Sequence, residues 1–182
     1  MRRHFPVMAG AEPEPWQNLQ RLRAAEGWLE LGLIEEAHAE LAAIGPDLRC
    51  GMAGLDLQWQ LFAERGHWDA AFAVAQQAVD LHPTKEGGWL NRAYAARRRV
   101  GGGVAAAHEL LLPAQGFFPE STIIPFNLAC YSAQLGRLDT AWSWLILAAA
   151  RGGWKTIGPT ALKDADLEAL RSQIQAAMKL AA

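Results

Sequence analysis

The chain has 182 residues, 51% of them apolar and 20% charged, enough hydrophobic material to bury a sizeable core and too much for disorder over most of its length. A formal net charge of −2 gives no strong field of either sign, so neither a nucleic-acid partner nor an anionic membrane surface is indicated. Cys50 and Cys130 stand far apart without a Cys-x-x-Cys spacing, which argues against a zinc knuckle or a redox motif and leaves both as small buried hydrophobes.

Residues 1–14 are read as an N-terminal tail, ordered or not. The stretch from Met1 to Gly10 lacks the continuous apolar core of a signal peptide, and no run of about 18 apolar residues appears anywhere after it. A soluble cytoplasmic protein is expected. From residue 15 onward the chain repeats itself. Gly32, Gly66, Gly102 and Gly136 step by 34, 36 and 34 residues, and the alanines five places later, Ala37, Ala71, Ala107 and Ala141, step with them. Each glycine separates two stretches of helical periodicity, dividing residues 15–155 into units of about 15–50, 52–85, 86–121 and 122–155.

The first unit is degenerate, because Pro46 arrives early and shortens its second helix. In the second, Trp68, Ala71, Ala75, Ala78 and Leu81 recur every three or four residues and fall on one helix face, which Pro83 ends. Pro119 and Pro46 are read as ending the corresponding helices of the third and first units. The third unit carries two extra residues around Gly101–Gly103. After the fourth, residues 156–182 read as one capping helix, in which Leu167, Leu170, Ile174 and Ala177 form an apolar stripe. Asp164, Asp166 and Glu168 suit its N-terminus, and Trp142, Trp144 and Trp154 are its docking surface. Tryptophans in general are assigned to core packing.

Taken together, Gly66 to Pro83 with Trp68, Ala71 and Ala78, the segment Trp89-Leu90-Asn91-Arg92-Ala93-Tyr94, and the unit Phe126 to Tyr131 with Gly136 and Ala141 resemble the tetratricopeptide repeat family. That resemblance implies an all-α fold, a right-handed α-solenoid of about four helix pairs plus a C-terminal capping helix. Trp59 departs from the pattern, standing where the family prefers a small residue. The family's concave groove is lined by the first helix of each pair. Aligning on the glycines places Arg23, Leu57, Asn91 and Asn127 at one equivalent first-helix position. Asparagine there implies bonding to the backbone of an extended peptide, and the alternative is that Asn91 and Asn127 only tie the stack together. Neighbouring groove positions are Glu26, Asp56, Gln60, Tyr94, Arg98, Cys130 and Gln134. The lysines that some relatives use to clamp a terminal carboxylate are replaced by Gly87, Leu90, Ile123 and Phe126.

Little chemistry competes with this reading. Gly101-Gly102-Gly103 follows Arg97-Arg98-Arg99 but lacks the Gly-Lys-Ser/Thr of a phosphate loop, so it reads as a loosened turn after a solvated basic face. The five histidines, His4, His38, His67, His82 and His108, have no metal-ligand spacing and are read as surface or turn residues. No serine sits in a Gly-x-Ser-x-Gly elbow. The expectation is a non-catalytic adaptor or scaffold with no cofactor and no metal, binding a protein or peptide in its groove. A small secretion-type chaperone and a self-associating homodimeric unit are the alternatives.

Overall fold

The computed structural model describes residues 15–181, and every element of secondary structure among them is helical. The tail expected at 1–14 lies outside the described residues. Four helix pairs succeed one another: α1 (Pro15–Glu30) with α2 (Ile34–Ala42), α4 (Met52–Glu64) with α5 (Trp68–Leu81), α6 (Glu86–Arg98) with α7 (Val104–Leu111), and α9 (Ile123–Gln134) with α10 (Leu138–Gly152). Two short helices, α3 (Pro46–Arg49) and α8 (Ala114–Phe117), are interposed. Each helix packs chiefly on its neighbours in the chain, and the leading helices also touch, α1 on α4 and α4 on α6. Among the described residues no helix is long and apolar enough to cross a membrane.

At three of the four repeat glycines the repeat in the sequence is a repeated hydrogen-bond pattern, whereas around Gly102 the positive φ falls on Gly101 and Gly103 and the Gly103 N–H reaches back to Ala96 at 3.0 Å. At the first turn Gly32 takes φ 74°, its N–H bonds the Leu29 carbonyl, and the next N–H, of Leu33, reaches back to Trp28 at 2.8 Å. The same pair of bonds closes the turns at Gly66, where His67 reaches Phe62 at 2.8 Å, and at Gly136, where Arg137 reaches Ser132 at 2.9 Å. This is the left-handed helix ending that glycine enters without a Cβ penalty. Each residue after the glycine then accepts from the repeat alanine one turn on, as Leu33 does from Ala37, His67 from Ala71 and Arg137 from Ala141. Ala37, Ala71, Ala107 and Ala141 are all 0% exposed, because any longer side chain at these points would push the paired helices apart.

Several expectations need correction. Pro83 stands just past the C-cap His82 of α5, but α2 already stops at Ala42 and Pro46 opens α3, where proline's missing N–H costs nothing. Likewise α7 stops at Leu111 and Pro119 lies beyond α8. On α5, Leu81 is exposed at the helix end, and Val79 joins the core in its place. The segment expected as a single cap is three elements: α11 (Trp154–Lys163), a 3-10 turn (Ala165–Leu170) and α12 (Arg171–Leu180). Asp164 breaks the helix, its side chain accepting from the Asp166 N–H at 2.9 Å, a bond that continued helix would not offer. The apolar stripe survives this break: Leu167, Leu170 and Ile174 are buried against α9, α10 and α11, with Trp142, Trp144 and Trp154 packed on the same cluster. Of the tryptophans, Trp89 is buried and Trp142, Trp144 and Trp154 pack on core clusters, whereas Trp16 and Trp28 are exposed, so the assignment of tryptophans to the core fails at those two.

Buried side chains form three clusters in chain order, around α1, α2 and α4, around α6, α7 and α9, and around α9, α10 and the cap. No single centre dominates. Each cluster is drawn mainly from helices near one another in chain order.

Candidate binding face

The leading helices bring together three of the groove residues expected from sequence. Glu26 and Glu30 lie one turn apart on α1, and Asp56, Gln60 and Glu64 form a stripe at successive four-residue steps along α4. These two rows line one cleft of about 520 Å³, with Leu29, Ala53 and Leu57 supplying its apolar part. Leu57, expected in the groove, is buried in the core cluster beneath it, since leucine gains more from packing than from a wetted wall. Arg23 is exposed on α1, outside the residues that line the cleft.

Charge in this cleft is one-sided. Its lining holds four carboxylates and no basic side chain. The five ion pairs among the described residues, Arg21–Glu40, Arg65–Glu35, Arg97–Asp166, Arg99–Asp69 and Arg171–Glu168, all bypass these four. Burial raises the pKa of the Asp56 carboxyl, and among the described residues Asn91 is its hydrogen-bond donor, Nδ2 lying 3.3 Å from Asp56 Oδ1. Asn91 thereby ties α6 to α4.

Further along α6, Tyr94 and Arg98 form a different surface. The Arg98 guanidinium lies 3.4 Å from the Tyr94 ring centroid and 5.3 Å from that of Trp68, and Trp59 meets the same tyrosine edge-on at 5.8 Å. Trp59, out of place in the repeat pattern, is accommodated by turning half out of the core onto Tyr94. The expected solvated basic face holds only in part, since Arg98 is exposed but each arginine of the run has a specific neighbour. Arg97 donates to both oxygens of Asp166, at 2.8 and 3.3 Å, Arg98 stacks on the aromatic pair, and Arg99 bonds Asp69 at 3.0 Å while lying over Phe72.

On α9 the expected groove residues meet the cap instead of an open cleft. Gln134 donates to Asp166, and the Cys130 thiol donates to Asp164 Oδ2 at 3.5 Å. Asn127 donates to the Ile123 carbonyl of its own helix at 2.9 Å. Cys130, Asp164 and Asp166 place their sulfur and oxygen atoms within 4.8 Å of one another, a grouping with metal-ligand chemistry. Burial, followed by the two nearby carboxylates, pushes the Cys130 thiol far up, so its proton is retained, and Arg97 is the cation that pairs Asp166. Beside them burial pushes the Tyr131 phenol up to about 12. The chemistry of this group is that of a satisfied polar clasp between α6, α9 and the 3-10 turn.

Two further expectations change. Cys130 is buried, but Cys50 is half-buried, with its carbonyl 2.9 Å from His82 Nε2. His108, assigned to the surface, is buried on α7, and desolvation lowers its pKa, whereas His38 and His67 are exposed. His4 lies outside the described residues. Sequence reasoning missed Glu30 and Glu64 in the cleft, although both stand four residues beyond a residue it had chosen, Glu26 and Gln60, and helical spacing was the available signal. Nothing in the repeat pattern pointed to Asp166 as the acceptor for Arg97 and Gln134, which lies 69 residues from Arg97. No protein-family model matches the chain, and no curated protein matches it.

Proposed function

We propose that this chain is a non-catalytic protein-interaction module, a right-handed α-solenoid of tetratricopeptide-like helix pairs that holds a peptide or helix of a partner protein against its leading helices. The observation that carries the reading is the cleft between α1 and α4, where Glu26, Asp56 and Gln60 converge as the repeat alignment requires. The contacts of α1 with α4 and of α4 with α6 support a continuous wall. An open cleft of mixed apolar and polar lining suits a polypeptide better than a small substrate, which is usually engulfed by a largely apolar pocket. The reading makes the chain an adaptor or scaffold without cofactor or metal.

A photo-crosslinking residue installed at Gln60, compared with one at the exposed Glu36 of α2, tests it in the native cell. A partner captured from position 60 alone is the expected result. Equal capture from both positions, or capture from position 36 alone, refutes the assignment of the binding face.

A second reading has its own observation. The outer side of α10 exposes Ile146 and carries Trp144, Leu147 and Ala150 around a shallow hollow of about 650 Å³, an apolar surface suited to self-association. Light scattering over a range of concentrations decides it, and a monomer throughout would discard it.

A further inference from the structure

The lining of the cleft between α1 and α4 also specifies a ligand chemistry, on the premise that this cleft is the binding face proposed above. We propose that its occupant is an extended segment of a partner protein with lysine or arginine at alternate positions.

Charge selects the kind of side chain. Four carboxylates line the cleft, no basic side chain does, and the ion pairs of the described residues all lie elsewhere. In a chain whose net charge is only −2, this is a local concentration of negative charge without a counter-charge among the described residues. Asp56 is half-buried there, and among the described residues the Asn91 amide alone donates a hydrogen bond to it. A cation brought into the cleft gains from carboxylates that no ion pair among the described residues engages.

Spacing selects the backbone conformation. Asp56, Gln60 and Glu64 succeed one another at four-residue steps on α4, about 6 Å of rise each. Side chains at alternate positions of an extended strand stand on one face about 6.7 Å apart. A strand lying along α4 thus presents successive same-face side chains to Asp56, Gln60 and Glu64 with little slippage over two steps. Glu26 and Glu30 repeat the arrangement on the opposite side of the cleft.

The apolar floor favours a long aliphatic stem. Leu29, Ala53 and Leu57 line the cleft together with the carboxylates. Lysine and arginine are the side chains that lay such a stem on an apolar surface while carrying the charge to its rim. A metal ion or a small polyamine would use the carboxylates and leave the floor uncovered.

Fluorescence anisotropy on the full chain tests this with labelled peptides of alternating lysine and alanine, glutamine and alanine, or glutamate and alanine. Two variants are measured beside the natural chain: Glu26→Gln with Glu64→Gln, which removes charge, and Ala53→Trp, which fills the cleft. All three positions are exposed, and Gln60→Trp replaces Ala53→Trp should the latter lower the melting temperature. The expected result is binding of the lysine peptide alone at about 50 mM salt, weakened by raising salt to about 200 mM as the screening length shortens. Both variants weaken it, the charge variant roughly tenfold, since it removes two ion pairs of ordinary strength. Equal binding of the glutamine peptide, or of the lysine peptide to the charge variant, overturns the basic specificity. If Ala53→Trp abolishes peptide binding in that case, the cleft remains the binding face. Lysine-peptide binding unchanged by both variants overturns both, and no binding of the lysine peptide overturns the specificity proposed here.

Discussion

Breaking the clasp between Arg97 and Asp166 measures how firmly the C-terminal elements are held to the repeats. The two residues lie 69 positions apart, and their side chains are 27% and 17% exposed, so solvent screens the pair only in part. One of the two bonds, 2.8 Å, has the length of a charge-assisted bond, and the other, 3.3 Å, is at the long end. Exposed pairs contribute about 0–1 kcal/mol, and hydrogen bonds to charged groups about 1.5–3 kcal/mol. With one good bond and one long one, the expected coupling is about 1.5 kcal/mol, near the lower end of the second range. Arg97→Met, Asp166→Asn and the double variant form the cycle, read by urea unfolding. For a chain of this size that coupling corresponds to roughly 3–6 °C in melting temperature. Each single variant loses more than the coupling itself, because Gln134 also donates to Asp166 and Arg97 also faces Tyr131. A coupling below about 0.5 kcal/mol, the level of a solvated pair, refutes the clasp as a stabilising device.

Two further predictions concern local features. A Cβ at Gly102 would stand 1.9 Å from the Ala96 carbonyl oxygen, so Gly102→Ala forces the turn open and costs more in urea unfolding than Gly32→Ala, where nothing lies within 4 Å and only the positive φ is strained, at about 1–2 kcal/mol. His108 has its pKa lowered by burial, so the unfolded chain takes up its proton first; stability is complete above the ordinary histidine value of about 6.5 and falls as pH drops below it toward the lowered folded value. The His108→Gln variant flattens that slope between about pH 7 and 5, and an unchanged slope assigns the acid sensitivity elsewhere.

What the sequence disclosed and what it concealed divide by the range of the interaction. The glycine and alanine registers are local demands: a left-handed helix ending at Gly32, Gly66 and Gly136, and a contact without room for a side chain at the four alanines. Such demands leave a periodic trace. The helix of the cap was readable as a stripe, Leu167, Leu170 and Ile174, because a 3-10 turn running into an α-helix keeps nearly the same face buried. Its interruption at Asp164 hinges on one side chain capturing one N–H, which no periodicity reports. The arginine run illustrates the opposite failure. Adjacent in sequence, Arg97, Arg98 and Arg99 point in different directions around the end of α6 and find Asp166, Tyr94 and Asp69, partners from three different elements. Composition suggests one basic surface, whereas helical geometry makes three separate contacts of it.

The two ends of the leading-helix series differ in a way that bears on how a ligand would lie. At α9, the positions equivalent to groove residues are engaged: Gln134 and Cys130 by the acids of the cap, Asn127 by its own helix. At α6, Arg98 covers Tyr94 and Asn91 is bonded to Asp56. Between α1 and α4 the polar side chains have no such partners among the described residues, apart from Asp56. Electrostatic attraction is strongest where charge lacks a counter-charge, and among the described groove positions that holds for the carboxylates between α1 and α4. A ligand drawn in by charge would therefore anchor over α4 and extend toward Tyr94 and Arg98, with the Arg97–Asp166 clasp marking the limit of its path. Loosening the clasp by Asp166→Asn frees Arg97 and adds no negative charge to the cleft, so on the proposed reading the affinity for a cationic peptide is expected to stay unchanged in that variant, as fluorescence anisotropy would show.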